Sequence, residues 1–322
     1  MKKFGAFLCG VLMLLSLAAC GEDKEPTQSG GDNGGRKLGL GSVTTLAADG
    51  KEKMTVKTTV AAVVLDKDGK ILDCDLDEAE IPLEIKNGML TDVVDLLTKG
   101  ERDDDDMLPD RDDDSAAAQG RSWEDQVEAF CDHVEGMTGA QVSGIAATDG
   151  KSEQIEGCDL VITDFVQAVH AATENAKDKK IAAADDLQMA VTVAKSKSWS
   201  DAQPQFNVEM AAVTVDEADR ITACMTDAAE VKLTIEDSVF ATAAGAMHSK
   251  RAMGDTYGMK QASPIKKEWY EQADAFDAYA VGKTAAELQK TALTDDGKTD
   301  AISTCTISID AMLKNAVKAA KE

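Results

Sequence analysis

"VAAVVLDKDGKILDCDLDEAE" fills residues 60–80 and "MAAVTVDEADRITACMTDAAE" fills residues 210–230, in gap-free register at an offset of 150. In the first phrase "DKDGK" at 66–70 is turn chemistry between two apolar-rich runs, which predicts a β-hairpin. The second phrase predicts the same hairpin again. Upstream of each lies another β-like run, "LGLGSVTTLA" at 38–47 and "LQMAVTVAKS" at 187–196. Downstream, "WEDQVEAF" at 123–130 is answered by "WYEQADAF" at 269–276. Trp123, Gln126, Ala129 and Phe130, like Trp269, Gln272, Ala275 and Phe276, share one helical face by their spacing. A Trp on such a face reads as a core anchor before it reads as a binding platform. Gly136 and Gly282 end these helices, and short helices follow at "TGAQV" and "TAAEL". Each copy is expected to close with a Cys-bearing strand, "EGCDLVI" or "STCTISI", and a final helix. The chain therefore reads as α+β, with two homologous domains at 37–180 and 181–322. Each is expected to hold a small, mostly antiparallel sheet with packed helices.

The residues before the first copy carry an address. Lys2 and Lys3 precede an apolar run that is short for a membrane span and ends in Leu17-Ala18-Ala19-Cys20. A small-residue cleavage site followed by Cys is the bacterial lipobox. It predicts a lipoprotein signal peptide at 1–19 and a diacylglyceryl thioether on Cys20. Two acyl chains, palmitate-like in length, suffice for stable anchoring. Residues 20–36 are rich in Gly, Ser and charge, and they read as a disordered tether. The expected location is the extracytoplasmic face of the cell membrane.

Composition excludes several functions. The formal net charge is −25, and the leader removes two further lysines, so nucleic acid is not an expected partner. Only His133, His170 and His248 are available for imidazole chemistry, and no G-x-S-x-G or H-E-x-x-H occurs. Zinc-type Cys/His spacing is missing as well, so neither an enzyme nor a metal centre is expected. The acidic runs at 103–106 and 110–114 lack the alternation and Gly turn of a calcium loop.

The copies differ most between hairpin and Trp helix. "MGDTYG" at 253–258 stands in the second copy where the first has its acidic run, with Lys99 answering to Lys250 and Met107 to Met259. Gly254 and Gly258 permit close backbone approach to a ligand. Tyr257 would then either stack on a planar ring or cap the core.

The closing phrase "DAISTCTISIDAMLKNAVKAA" resembles the end of the bacterial FMN-binding domain, found in flavin-carrying redox subunits and extracellular electron-transfer lipoproteins. That family esterifies FMN to the last Thr of a Ser-Gly-Ala-Ser/Thr-x-Thr phrase. Here residues 303–308 occupy the phrase: Thr304 and Cys305 replace its Gly and Ala, Thr306 lies inside it, and Ser308 takes the acceptor position. The first copy has Val161 at that point, with no hydroxyl. The tandem pattern as a whole is similar to surface lipoproteins of Gram-positive anaerobes. The resemblance implies an FMN site in the second copy near Tyr257, Thr306 and Ser308. It suggests a lipid-anchored binding or redox-carrier protein, and the alternative is a structural or ligand-capturing envelope lipoprotein without flavin.

Five cysteines remain in the body of the chain. Cys74 and Cys224 are repeat-equivalent, as are Cys158 and Cys305, whereas Asp277 stands in the place of Cys131. Strand alternation turns Cys74 and Cys305 toward the apolar side. If hairpin and closing strand are neighbours, disulfides 74–158 and 224–305 are expected. Otherwise all four are buried, reduced thiols.

Overall fold

The turn at 66–70 folds on its own aspartate. Asp66 Oδ1 accepts the amides of Asp68 at 2.8 Å and Lys70 at 2.9 Å. Asp216 Oδ1 does the same for Ala218 and Arg220, both at 2.9 Å. Just before each turn the strand register slips, at Val64/Leu65 and again at Thr214/Val215. The computed structural model describes residues 35–93, 96–102, 121–200, 202–241 and 247–321. Cys20 with its lipid box, the tether up to residue 34, and the acidic runs lie outside the described residues.

Strands β1 (Arg36–Asp49), β2 (Lys53–Leu65) and β3 (Ile71–Lys86) form an antiparallel meander. The short β4 (Met89–Leu90) and β5 (Lys177–Lys179) extend it to the order β4-β3-β2-β1-β5. A second antiparallel sheet runs β6-β7-β8, from Asp186–Lys195, Gln205–Val215 and Ile221–Lys232. A two-residue ribbon, β9 (Ile235–Glu236) with β10 (Val239–Phe240), follows it.

The first half carries helices α1 (Trp123–Val134), α2 (Gly139–Val142) and α3 (Thr163–Asn175). The second half carries α4 (Lys250–Met253), α5 (Met259–Ala262), α6 (Trp269–Ala280), α7 (Ala285–Leu288) and α8 (Asp310–Ala319). Ser122 opens α1 with a capping box to Asp125, and Thr284 opens α7 with one to Glu287. Gly136 and Gly282, with φ of 76° and 83°, turn the chain back after α1 and α6. Their amides donate to Ile71 O at 2.8 Å and Ile221 O at 2.7 Å, fastening each helix end to its hairpin.

The central strands explain the layering. Ala61, Val63 and Leu65 of β2 pack under α1 and α3, while Val60, Ala62 and Val64 face the other way. In β7, Ala211 and Val213 meet the helices of the second half, while Met210 and Ala212 face away. These outward-turned sets meet each other: Leu38, Leu40, Val60, Ala62 and Val64 share a core with Met189, Val191, Met210 and Ala212. The result is four layers, helices, sheet, sheet, helices. An unbroken apolar run such as "VAAVVL" is what a strand buried on both faces requires. Residues 32 to 322 accordingly form one compact unit, α+β with antiparallel sheets. The end of 37–180 falls between β5 and β6, and the sheets on either side of that point share this core. On the first sheet, α3 lies so close that a Cβ on Gly39 would come within 2.1 Å of Ala172 O.

The closing strands expected at 156–162 and 303–309 are absent. Both stretches are turns and irregular chain ahead of α3 and α8. Their amides go elsewhere than a ladder: Cys158 N to Ile155 O at 3.2 Å, and Cys305 N to Ile302 O at 3.1 Å. Ile162 N reaches Gly150 O, and Ile309 N reaches Gly297 O, each at 2.8 Å. Of the alternating residues that mimic a strand, Cys158, Ile162, Cys305 and Ile309 are buried in the helix-side cores, and Leu160 and Ile307 are partly buried against them.

Candidate functional site

Between β8 and α6 the second half folds a compact polar group. Ser249 caps α4, its Oγ accepting Ala252 N at 3.3 Å. The next residues place two cations inward. Lys250 Nζ lies 3.0 Å from Glu230 Oε1, with the Tyr257 and Trp269 ring centroids at 5.5 and 5.3 Å. The Tyr257 hydroxyl donates to the same Glu230 oxygen at 3.2 Å. Arg251 N donates to Asp227 Oδ1 at 3.0 Å, and its guanidinium meets Asp274 at 2.6 Å and Asp277 at 2.5 Å. Its Nε also donates to Thr226 O. From the first half, Lys177 reaches Asp274 at 2.9 Å.

Backbone geometry holds this group in place. Gly254 and Gly258 take φ of 50° and 77° around the 3-10 turn Gly254–Tyr257. The buried Glu268 then accepts Met259 N at 2.8 Å and Lys260 N at 3.0 Å. Beside this turn the surface sinks into a depression of ≈ 400 Å³, lined by Glu230, Met247, His248, Ala252, Met253 and Thr256. That volume is in the range of small-molecule sites.

Burial sets the electrostatics. It pushes Glu209 up to about 7, against the pull of Lys250, with Asp227 and Glu230 adding repulsion. Burial likewise raises Asp277 to about 6, opposed by Arg251 and Thr226. For Glu230 burial also favours the neutral form, but Lys250 and Lys232 outweigh it and hold the carboxyl below its ordinary range. Among the described residues, no three His, Cys, Asp or Glu side chains are arranged to hold a metal ion. No described helix is long and apolar enough to cross a membrane.

The first half repeats the frame with other contents. Lys99 sits 6.0 Å from the Trp123 ring centroid and 2.5 Å from Glu78. Gly100 N donates to Asp77 Oδ1 at 3.0 Å, as Arg251 N does to Asp227. Gln126 Oε1 accepts Asp159 N at 3.0 Å, and Gln272 Oε1 accepts Thr306 N at 2.9 Å.

The three residues singled out for flavin have separate surroundings. Tyr257 is half-buried against the helix-side core and answers to Glu230 and Lys250. Thr306 gives both its amide and its hydroxyl to Gln272. Ser308 is exposed beside Gly297, where a Cβ would stand 2.3 Å from its Oγ.

All five cysteines of the body are free thiols. The pairs 74–158 and 224–305 are not formed, because Cys158 and Cys305 lie in irregular chain rather than on strands beside β3 and β8. The thiol set against Cys74 is that of Cys131, whose Sγ donates to it across 3.0 Å. In the second half Cys224 Sγ instead faces Asp277 Oδ1 at 3.8 Å.

Sequence reasoning missed Arg251, Asp277, Glu209, Glu230 and Glu268. Asp277 did leave a signal, as a carboxylate on the apolar stripe of α6, eight residues after Trp269. The others come from segments far apart in the chain and carried no local pattern.

No protein-family profile matches this chain, and no solved structure matches it. A chlorophenol reductase of Desulfitobacterium hafniense is 46% identical over 41 residues. That match spans 13% of this chain and 12% of that protein.

Proposed function

We propose that the chain is a lipid-anchored extracytoplasmic binding protein built by duplication of an α+β domain, in which the second half keeps a ligand site. Duplication is supported by the recurrence of hairpin turn, register slip, Lys-over-Trp contact and Gln-to-loop bond at matching positions. The anchor rests on the 17–20 box alone.

One observation carries the binding reading: the ≈ 400 Å³ depression beside the segment that most sets the second half apart. Met247, Met253 and Ala252 offer an apolar, polarisable surface to a planar ring, while Glu230, His248 and Thr256 supply polar contacts. The isoalloxazine ring of a flavin is such a ligand. Glu230 is held ionised, so a phosphate would point away from it.

The test is a fluorescence titration of the chain from residue 21 onward with riboflavin and with FMN. Riboflavin is expected to bind one to one, at least as tightly as FMN, and Met253→Glu to weaken it tenfold or more. Failure of both flavins to bind would leave the second reading, an envelope protein without flavin. Covalent attachment at Ser308 is the variant that its exposed hydroxyl favours. It would appear as FMN mass on the peptide containing that residue in protein from the host. The chlorophenol reductase likeness adds a redox name over 41 residues and no more.

A further inference from the structure

Cys74 and Cys131 are the two thiols whose sulfurs the fold brings into direct contact, 3.0 Å apart. A bonded pair sits at about 2.05 Å, so closure asks for a movement of roughly 1 Å. Cys74 is on β3 and partly buried, keeping some access to solvent, whereas Cys131 is on α1 and buried. Both belong to the core between the first sheet and its helices.

We propose that Cys74 and Cys131 form a dithiol site that a small or protein disulfide oxidises to an intramolecular cross-link between β3 and α1. The Cys74 thiolate attacks one sulfur of the oxidant, forming a mixed disulfide and expelling one thiolate, which takes up a proton. The Cys131 thiolate then attacks Cys74 Sγ, forming the internal bond and expelling the second thiolate. The protein gives up two protons and two electrons, and the oxidant's disulfide becomes two thiols. The order of attack follows from access. Contact with Cys74, then burial, raises the Cys131 thiol well above its ordinary range, so Cys74 enters first and Cys131 resolves.

The second half provides an internal contrast. Cys224 is fully buried and faces the carboxylate of Asp277, so the equivalent position has no thiol to join. Cys158 and Cys305 are buried in irregular chain. Oxidation is therefore confined to one pair in the first half. The proposal depends on the extracytoplasmic reading only for its natural oxidant.

The experiment exposes the folded chain from residue 21 onward to oxidised glutathione, alkylates remaining thiols and maps peptides without reduction. The expected product links Cys74 to Cys131 and leaves Cys158, Cys224 and Cys305 alkylated. The thermal midpoint should rise by roughly 5 °C or more, since the bond closes a long loop. In Cys131→Ser, a glutathione adduct should persist on Cys74. Five alkylated thiols, a bond from Cys74 to Cys158, or a lasting glutathione adduct on Cys74 of the unsubstituted chain would overturn the proposal. Protein trapped directly from its host separates the two readings. A bond made by glutathione yet missing in host protein counts against the placement outside the cytoplasm, and leaves the pairing standing.

Discussion

At the scale of single residues, the second half concentrates charge where a core would ordinarily be apolar. Arg251 and Asp277 are nearly inaccessible and paired, and removing one partner alone would leave an uncompensated buried charge. Glu209 offers the cleaner test. Its folded pKa is raised from 4.5 to about 7, so its contribution to stability is fully present below about 4.5 and is lost as pH rises through about 7. Glu209→Gln, a neutral isostere, should match the parent chain at pH 4. At pH 8 it should be more stable by on the order of 1 kcal/mol, the figure being reduced because the side chain is partly exposed. Denaturant melts across that range check this, and equal stabilities at pH 8 would count against a costly charge at this position. Glu209 illustrates what the sequence withholds. In "NVEM" it is one acidic residue among 59, and nothing local announces the burial that raises it or the opposing pull of Lys250, 41 residues away.

At the scale of elements, local chemistry decided what was legible. The hairpins, the Trp helices, the short helices after Gly136 and Gly282 and the final helices are all found where periodicity and turn residues put them. The closing strands are not, since Cys305, Ile307 and Ile309 alternate as a strand does while their chain is held by turns and by a glutamine. Gln126 and Gln272 do the work assigned to strand pairing, each reaching from a Trp helix to tie a loop amide. Gln272→Ala should therefore leave Thr306 N without its partner, at a cost of about 1–3 kcal/mol. Amide exchange should quicken across 298–309 while α6 stays protected. Uniform loss of protection through α6 would show instead that the glutamine supports the helix itself. The same loop explains why a phrase similar to an ester-forming motif is a poor guide: Thr306 spends its hydroxyl on Gln272.

At the scale of the whole molecule, the likeness between the two halves is legible in the sequence and their packing is not. Nothing in a likeness at an offset of 150 tells whether the two halves stand apart or back to back. The structure supplies the answer in the core shared by the two sheets, and a run such as "VAAVVL" is apolar enough to be buried on both faces. Leu38, Leu40, Val60 and Met210 are all within 1% of complete burial in the inter-sheet core. Each would contribute about 1.5–3 kcal/mol on burial and would face water in an isolated half. Residues 37–180 or 181–322 expressed alone should therefore self-associate or fail to fold, and the two mixed should recombine. Sedimentation analysis of each half and of the mixture checks this. Two stable monomers that ignore one another would contradict the shared core.

The proposed ligand site lies in the second half, and hydrogen–deuterium exchange with and without saturating riboflavin tests that placement. Added protection is expected in peptides covering 226–232 and 247–258, with the matching first-half segments at 76–82 and 96–102 unchanged. Protection that falls in the first half, or equally in both, would contradict a ligand site kept by the second half alone.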